Sequence, residues 1–254
     1  MLAHATSIRP EAYRAILLIA LGISVALAAT ALALWQASPY GRYLHHEGGG
    51  PAPLPIEAGL FAAGWALMVV AMMLPSSVPL VATFAALIRR RSRPGLLVAL
   101  VVAGYVVTWT TFGLVAWLLD RLVHAAVDGV PFLGAHPQLI IGATLLTAGL
   151  YQFTGLKYRC LDECRSPLGF VLSRWAGRRP EREALALGIS HGAFCIGCCW
   201  SLMLVMFGLG LGSLAWMLAF GLIMAVEKNA PWGRRIGRPL GFVLVFAAVA
   251  AVSL

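Results

Sequence analysis

Long apolar runs that are almost free of charge limit the folds open to this 254-residue sequence. A helix needs about 20 residues to cross a bilayer core of about 30 Å, and most of the runs reach that length. The runs are continuous rather than alternating, which excludes a transmembrane β-barrel. They are Ile16–Trp35, Leu60–Ile88, Leu96–Leu119, Leu139–Leu156, Ala184–Val226 and Leu240–Leu254.

The fifth run is too long for one span. It is interrupted by the glycine-rich segment Gly208–Ser213, so we interpret it as a helical hairpin. The count is then seven spans, with six as the fallback because the last two are short. With 11% charged and 60% hydrophobic residues, the chain lacks the charge that a soluble domain of this size needs. The sequence therefore predicts an all-α, polytopic transmembrane bundle, with residues 1–254 as a single domain.

The basic residues are divided unequally between the two sides of the predicted bundle. Seven spans place 17 of the 19 Lys and Arg residues on the side of the N-terminus, and only Arg42 and Arg121 on the other. Cytoplasmic loops carry such an excess, so we predict that the N-terminus is cytoplasmic. The net charge of +9 then reflects topology and contact with anionic lipids, and it does not indicate a nucleic-acid partner.

One predicted cytoplasmic loop, residues 157–183, is long enough to have structure of its own. Part of it combines apolar residues at helical spacing with Arg174, which can face lipid headgroups. We predict a short amphipathic helix in the membrane interface. Its apolar residues are Leu168, Val171, Leu172 and Trp175.

Five cysteines flank the junction between the fourth and fifth spans. The first two, Cys160 and Cys164, are four residues apart and share a face if the fourth helix continues. The other three follow in HGAFCIGCCW, residues 191–200. None of the five lies in a predicted outer loop, so extracytoplasmic structural disulfides are not expected.

The second group combines a histidine with three thiols. His191, Cys195 and Cys199 recur every four residues, and Cys198 borders the face that they share. Soft ligands of this kind select Cu(I) or Zn(II) over hard cations. A single buried cysteine often acts only as a small hydrophobic residue. Five cysteines clustered with a histidine inside a span favour a metal site over ordinary packing.

Methionines extend this pattern as candidate auxiliary ligands. Met203 and Met206 continue the cysteine face, while Met72 and Met73 precede Pro75 on the second span. Thioethers bind soft ions such as Cu(I). Methionine at helical spacing is also common core filler, so both interpretations stay open.

Glu227 is the last candidate auxiliary residue, at the end of the predicted sixth span. It could support a bound ion or His191 from outside the ligand set. It could equally form a simple cap or snorkelling pair with Lys228.

The relative depth of the two cysteine groups stays open in the sequence. If the fifth span begins at Ala184, helix geometry places Cys195 about 16 Å into the bilayer. Cys160 is expected near the interface. The groups meet only if the span begins nearer Ser190, or if residues 160–164 fold back into the bundle.

Four segments resemble a bacterial family of predicted metal-binding integral membrane proteins of unknown function. Similarity to this family covers about residues 60–233, and Gly155 stands where a proline is expected. The segments are MMLPS (72–76), YQFTGLKYRCLDECRSPLGF (151–170), HGAFCIGCCW (191–200) and EKNAPWG (227–233). The resemblance implies a bacterial inner-membrane location and metal binding by Cys160, Cys164, His191, Cys195, Cys198 and Cys199.

The leading hypothesis is a membrane protein that binds copper, or next zinc, at the cytoplasmic side of spans four and five. Its role would be metal handling, delivery or transport rather than catalysis, with lipids and a metal donor, acceptor or membrane complex as partners. One alternative is a membrane thiol-disulfide oxidoreductase, although no cysteine pair lies on the outer face. Another is a scaffold subunit with a structural metal. Haem is the least favoured cofactor.

Overall fold

The structure is a computed structural model that describes residues 10–38, 53–208 and 214–253. Within these ranges the chain is helical and contains no strand, which confirms the all-α class. Five segments are long and apolar enough to cross a membrane, and a sixth is added if two helices that meet at 64° form one broken span. The five are Leu18–Gln36, Leu54–Ile88, Pro94–Val127, Pro180–Met206 and Gly233–Ser253.

The helices follow the predicted apolar runs. A five-residue π-helical turn, Val69–Met73, joins α2 to α3, and a 3-10 turn, Gly233–Arg235, precedes the last helix. The α-helices are α1 (Pro10–Gln36), α2 (Leu54–Met68), α3 (Leu74–Ile88), α4 (Pro94–Asp128), α5 (Pro131–Ala135), α6 (Gln138–Tyr151), α7 (Gly155–Arg165), α8 (Pro167–Arg174), α9 (Pro180–Gly208), α10 (Leu214–Asn229) and α11 (Gly237–Ser253).

The predicted sixth span corresponds to α10. This helix has 16 described residues, fewer than the roughly 20 that a span needs. Of the predicted turn Gly208–Ser213, all residues after Gly208 lie outside the described residues. The structure therefore supports five or six spans, and seven spans with a cytoplasmic N-terminus remain a prediction.

The most extensive helix pairing joins α4 to α9. A Cβ at Gly188 would overlap the backbone carbonyl of Val101, so the two helices touch backbone to backbone at this point. Small residues permit such close crossings in membranes. Beyond the crossing, Tyr105 of α4 lies against His191 and Cys195 of α9.

The π-helical turn between α2 and α3 lies directly before Pro75. The N–H of Leu74 bonds five residues back instead of four, and proline itself has no N–H to donate. The Met73 carbonyl at this turn accepts hydrogen bonds from Ser76 at 2.7 Å and from Tyr105 at 3.4 Å. Turns of this type are frequent at functional sites.

The 64° bend between α6 and α7 decides the relative depth of the cysteine groups. The hydroxyl of Thr154 caps α7, which then packs against α9. A Cβ at Gly197 would lie 2.5 Å from the sulfur of Cys160, so α7 approaches α9 closely here. Because α9 begins as early as Pro180, the two groups meet through the folding back of residues 160–164.

The segment that was predicted to form an interfacial helix is helical in α8. Phe170 is buried against the bundle, whereas Leu168 and Leu172 are exposed. The guanidinium of Arg174, which was expected to face lipid headgroups, lies 3.8 Å from the centre of the Phe170 ring. One face of α8 therefore packs on the protein, and its position at a membrane surface remains a prediction.

A buried ion pair fastens α7 to α10. The ammonium of Lys157, whose side chain has no exposed surface, lies 2.7 Å from a carboxylate oxygen of Glu227 and also donates to Gln152. The guanidinium of Arg165 donates to the backbone oxygen of Glu227 at 2.5 Å. Separating α7 from α10 would leave the charges of Lys157 and Glu227 without their partners. Because an uncompensated buried charge is costly, this pair stabilises the bent position of α7.

We expect Lys157→Met to lower the free energy of unfolding by about 3–5 kcal/mol, because Glu227 would stay buried without a counter-charge. The double variant Lys157→Met/Glu227→Met should recover much of this loss. The half-exposed pair Arg234–Asp162 offers a control, since Arg234→Met should change stability by only about 0.5 kcal/mol. Denaturant unfolding in detergent measures all three variants. A double variant as unstable as the single one would contradict this role.

Candidate metal centre

Three cysteines of α9 form a compact group of metal-ligating atoms. The sulfurs of Cys195, Cys198 and Cys199 all lie within 4.8 Å of one another. Spacings of three and four residues place them on one side of the helix. All three are free thiols with at most 1% of their surface exposed. The thiols of Cys198 and Cys199 donate to the Cys195 carbonyl at 3.1 and 2.9 Å, which fixes the turn that carries them.

The two cysteines of α7 occupy different positions relative to this group. Cys164 lies near enough to Cys195 and Cys198 for its thiol to interact with theirs, so it offers a fourth sulfur from a second helix. Cys160 lies beside the group, against the backbone of Gly197. Cys164 is partly exposed, whereas the other four cysteines are buried.

His191 lies one helical turn before Cys195. Its ring stacks on that of Tyr105, with 5.5 Å between centroids, and its Nε2 is 3.1 Å from the hydroxyl of Ser77. Its Nδ1 is buried and finds no hydrogen-bond partner among the described residues. The ring is not part of the three-sulfur group, and its role as a ligand remains a prediction.

Two groups that the sequence analysis missed contact Cys195 directly. The ammonium of Lys228 lies 2.9 Å from the sulfur of Cys195 and 3.1 Å from the hydroxyl of Ser76. The hydroxyl of Tyr105 lies 3.0 Å from the same sulfur. Lys228 is only 5% exposed, so it does not snorkel to the surface. The signal that could have identified Lys228 from the sequence is an ionisable residue at the end of an apolar helix.

The candidate auxiliary residues separate into two sets. Glu227 forms its ion pair with Lys157, rather than contacting His191. The four methionines are all buried, and their exposed fractions are 7% for Met72 and 0% for Met73, Met203 and Met206.

The donor set of the centre fits a soft cation. Thiolates and thioethers select Cu(I) over hard ions. A Cu(I) ion held by two thiolates has one net negative charge, and the ammonium of Lys228 stands where it can balance that charge. The unpaired Nδ1 of His191 offers one further donor near the same turn of α9.

Comparison with known protein families connects this centre with copper. No curated protein and no solved structure matched the chain. A family model described as PpoB2, copper chaperone, matches residues 62–251, a segment that contains the π-helical turn, all five cysteines, His191 and Lys228. Because the match covers well over half of the sequence, the chain belongs to the PpoB2 copper chaperone family.

Proposed function

We propose that this protein is a multi-pass membrane copper chaperone that holds Cu(I) at a cysteine centre and passes it to a partner protein. The observation that carries the proposal is the buried group of three sulfurs within 4.8 Å of one another, in a chain of a copper chaperone family. The long apolar helices support a membrane location, which we assign to the bacterial inner membrane.

Cys195, Cys198 and Cys199 are the proposed primary ligands, and Cys164 is the fourth. Cys164 qualifies because its thiol lies near two of the three sulfurs, on the neighbouring helix α7. Cys160 lies beside the group and is not among the proposed ligands. His191 takes a secondary role, since it offers a single unpaired nitrogen.

Three buried sulfurs with a fourth on a neighbouring helix suit an ion that is bound and then transferred to a partner protein. Cu(I) passes between sulfur ligands by exchanging one ligand at a time, so a fourth sulfur allows transfer without release of the free ion. Cys164 is the only partly exposed cysteine of the five. We therefore place the approach of a donor or acceptor protein on the side of α7, where this residue lies.

We expect the purified protein, loaded anaerobically with Cu(I) in detergent, to retain one copper ion per chain through dialysis against a weak chelator. The variant Cys195→Ser/Cys198→Ser/Cys199→Ser should lose this tightly bound ion, because three of its four sulfur ligands are gone. Elemental analysis measures the copper. Cys160→Ser is the matched control and should keep the ion.

Absence of retained copper in the unmodified protein would overturn the proposal, as would equal retention in the triple variant. Retention of zinc in competition with copper would show that zinc, rather than copper, is the cargo. Rapid, reversible disulfide formation in the metal-free protein, with no retained metal, would favour the oxidoreductase alternative.

We expect Lys228→Met to weaken Cu(I) binding about 10–100-fold, the usual effect of removing a group that supports a metal ligand. The physical reason is the loss of the ammonium 2.9 Å from the sulfur of Cys195. Competition with a chromophoric Cu(I) chelator measures the affinity, and Lys228→Arg is the control that keeps the charge. Tighter binding in Lys228→Met would show instead that the ammonium competes with copper for the sulfur.

A further inference from the structure

All methionines in the described part of the chain are buried. On α10 the methionines face the interior of the bundle, whereas Leu218 and Leu222 on the same helix are 65% and 67% exposed. The exposed fractions are 3% for Met68, 7% for Met72, 0% for Met73, Met203 and Met206, 3% for Met217 and 1% for Met224.

On α9 the methionines continue the face of the metal centre. Cys195, Cys199, Met203 and Met206 follow one another at intervals of four, four and three residues, which keeps them on one side of the helix. At a rise of 1.5 Å per residue, the two thioethers lie about 6 and 10 Å beyond Cys199 along the helix axis.

A matching face lies on α10. Lys228, Met224, Gly221 and Met217 are separated by four, three and four residues. The contact between Lys228 and Cys195 turns this face towards the metal centre.

The third set of thioethers comes from the second span. A Cβ at Gly221 would lie 2.8 Å from Cγ of Met72, so the absence of a side chain on α10 makes room for Met72. Met72 lies within the π-helical turn, and Met68, four residues earlier, is the last residue of α2 before that turn. The methionines of α9, of α10 and of the second span therefore lie in one region of the core.

We propose that Met72, Met203 and Met224 form a second, weaker Cu(I) site next to the cysteine centre, and that Met68, Met206 and Met217 continue it towards the opposite end of the bundle. This inference rests on the proposed function, because it takes copper as the cargo. Thioethers are neutral soft ligands that accept Cu(I) and discriminate against hard cations. A series of them gives the ion a route through an apolar core in which water is scarce.

The test is an anaerobic Cu(I) titration of two proteins in detergent, the unmodified chain and Met72→Leu/Met203→Leu/Met224→Leu. Leucine preserves volume and apolar character at small cost in stability but removes the sulfur. The unmodified protein should bind a second ion more weakly than the first, and the leucine variant should bind only the tight one. Leu202→Met, a buried position beside Met203, is the control and should leave both ions in place.

The two proposals fail in different ways. A protein that retains no tight ion contradicts the cysteine centre itself. A tight ion with no second ion, or a second ion that is unchanged in the leucine variant, contradicts the thioether site alone. If the triple leucine variant is misfolded by circular dichroism or size exclusion, Met203→Leu alone should still weaken the second ion at least 10-fold, and unchanged affinity would overturn the proposal.

Discussion

The folding back of α7 is the constraint on which the candidate metal centre depends. The bend of 64° after α6 turns an amphipathic, charged helix towards the core instead of away from the bundle. That turn brings the sulfur of Cys164 to the cysteines of α9. It also buries Lys157, which is tolerable only because Glu227 meets it at 2.7 Å. The geometry of the centre and the stability of the bundle therefore share one structural cause.

Two adjacent charged residues at the end of α10, Glu227 and Lys228, have different partners in the structure. Glu227 and Lys228 resemble a simple charged pair at the end of an apolar helix, yet they do not serve as partners for each other. Glu227 holds α7 through Lys157, while the ammonium of Lys228 lies against the sulfur of Cys195. The buried carboxylate of Glu227 is thus compensated by Lys157, which offsets the free-energy cost of burying it. The buried ammonium of Lys228 lies at a sulfur, where its positive charge suits an anionic copper–thiolate complex.

Much of the helical architecture could be predicted from the sequence, because continuous apolar runs and the four-residue spacing of His191, Cys195 and Cys199 are local signals. The fold-back of residues 160–164 was one of two alternatives, and only the packing of α7 on α9 decided between them. The contact of Tyr105 with Cys195 depends on a glycine crossing of α4 and α9, which no local pattern encodes. The burial of Lys228 likewise depends on tertiary packing, since an isolated α10 would leave it free to snorkel.

The central claim is that sulfur atoms of α9 hold a Cu(I) ion inside the bundle, and X-ray absorption spectroscopy at the copper edge tests it most directly. The account predicts a first coordination sphere of sulfur in the loaded protein at one ion per chain, with sulfur ligation reduced in Cys195→Ser and unaffected in Cys160→Ser. A coordination sphere made only of nitrogen and oxygen, or one unaffected by Cys195→Ser, would contradict the account.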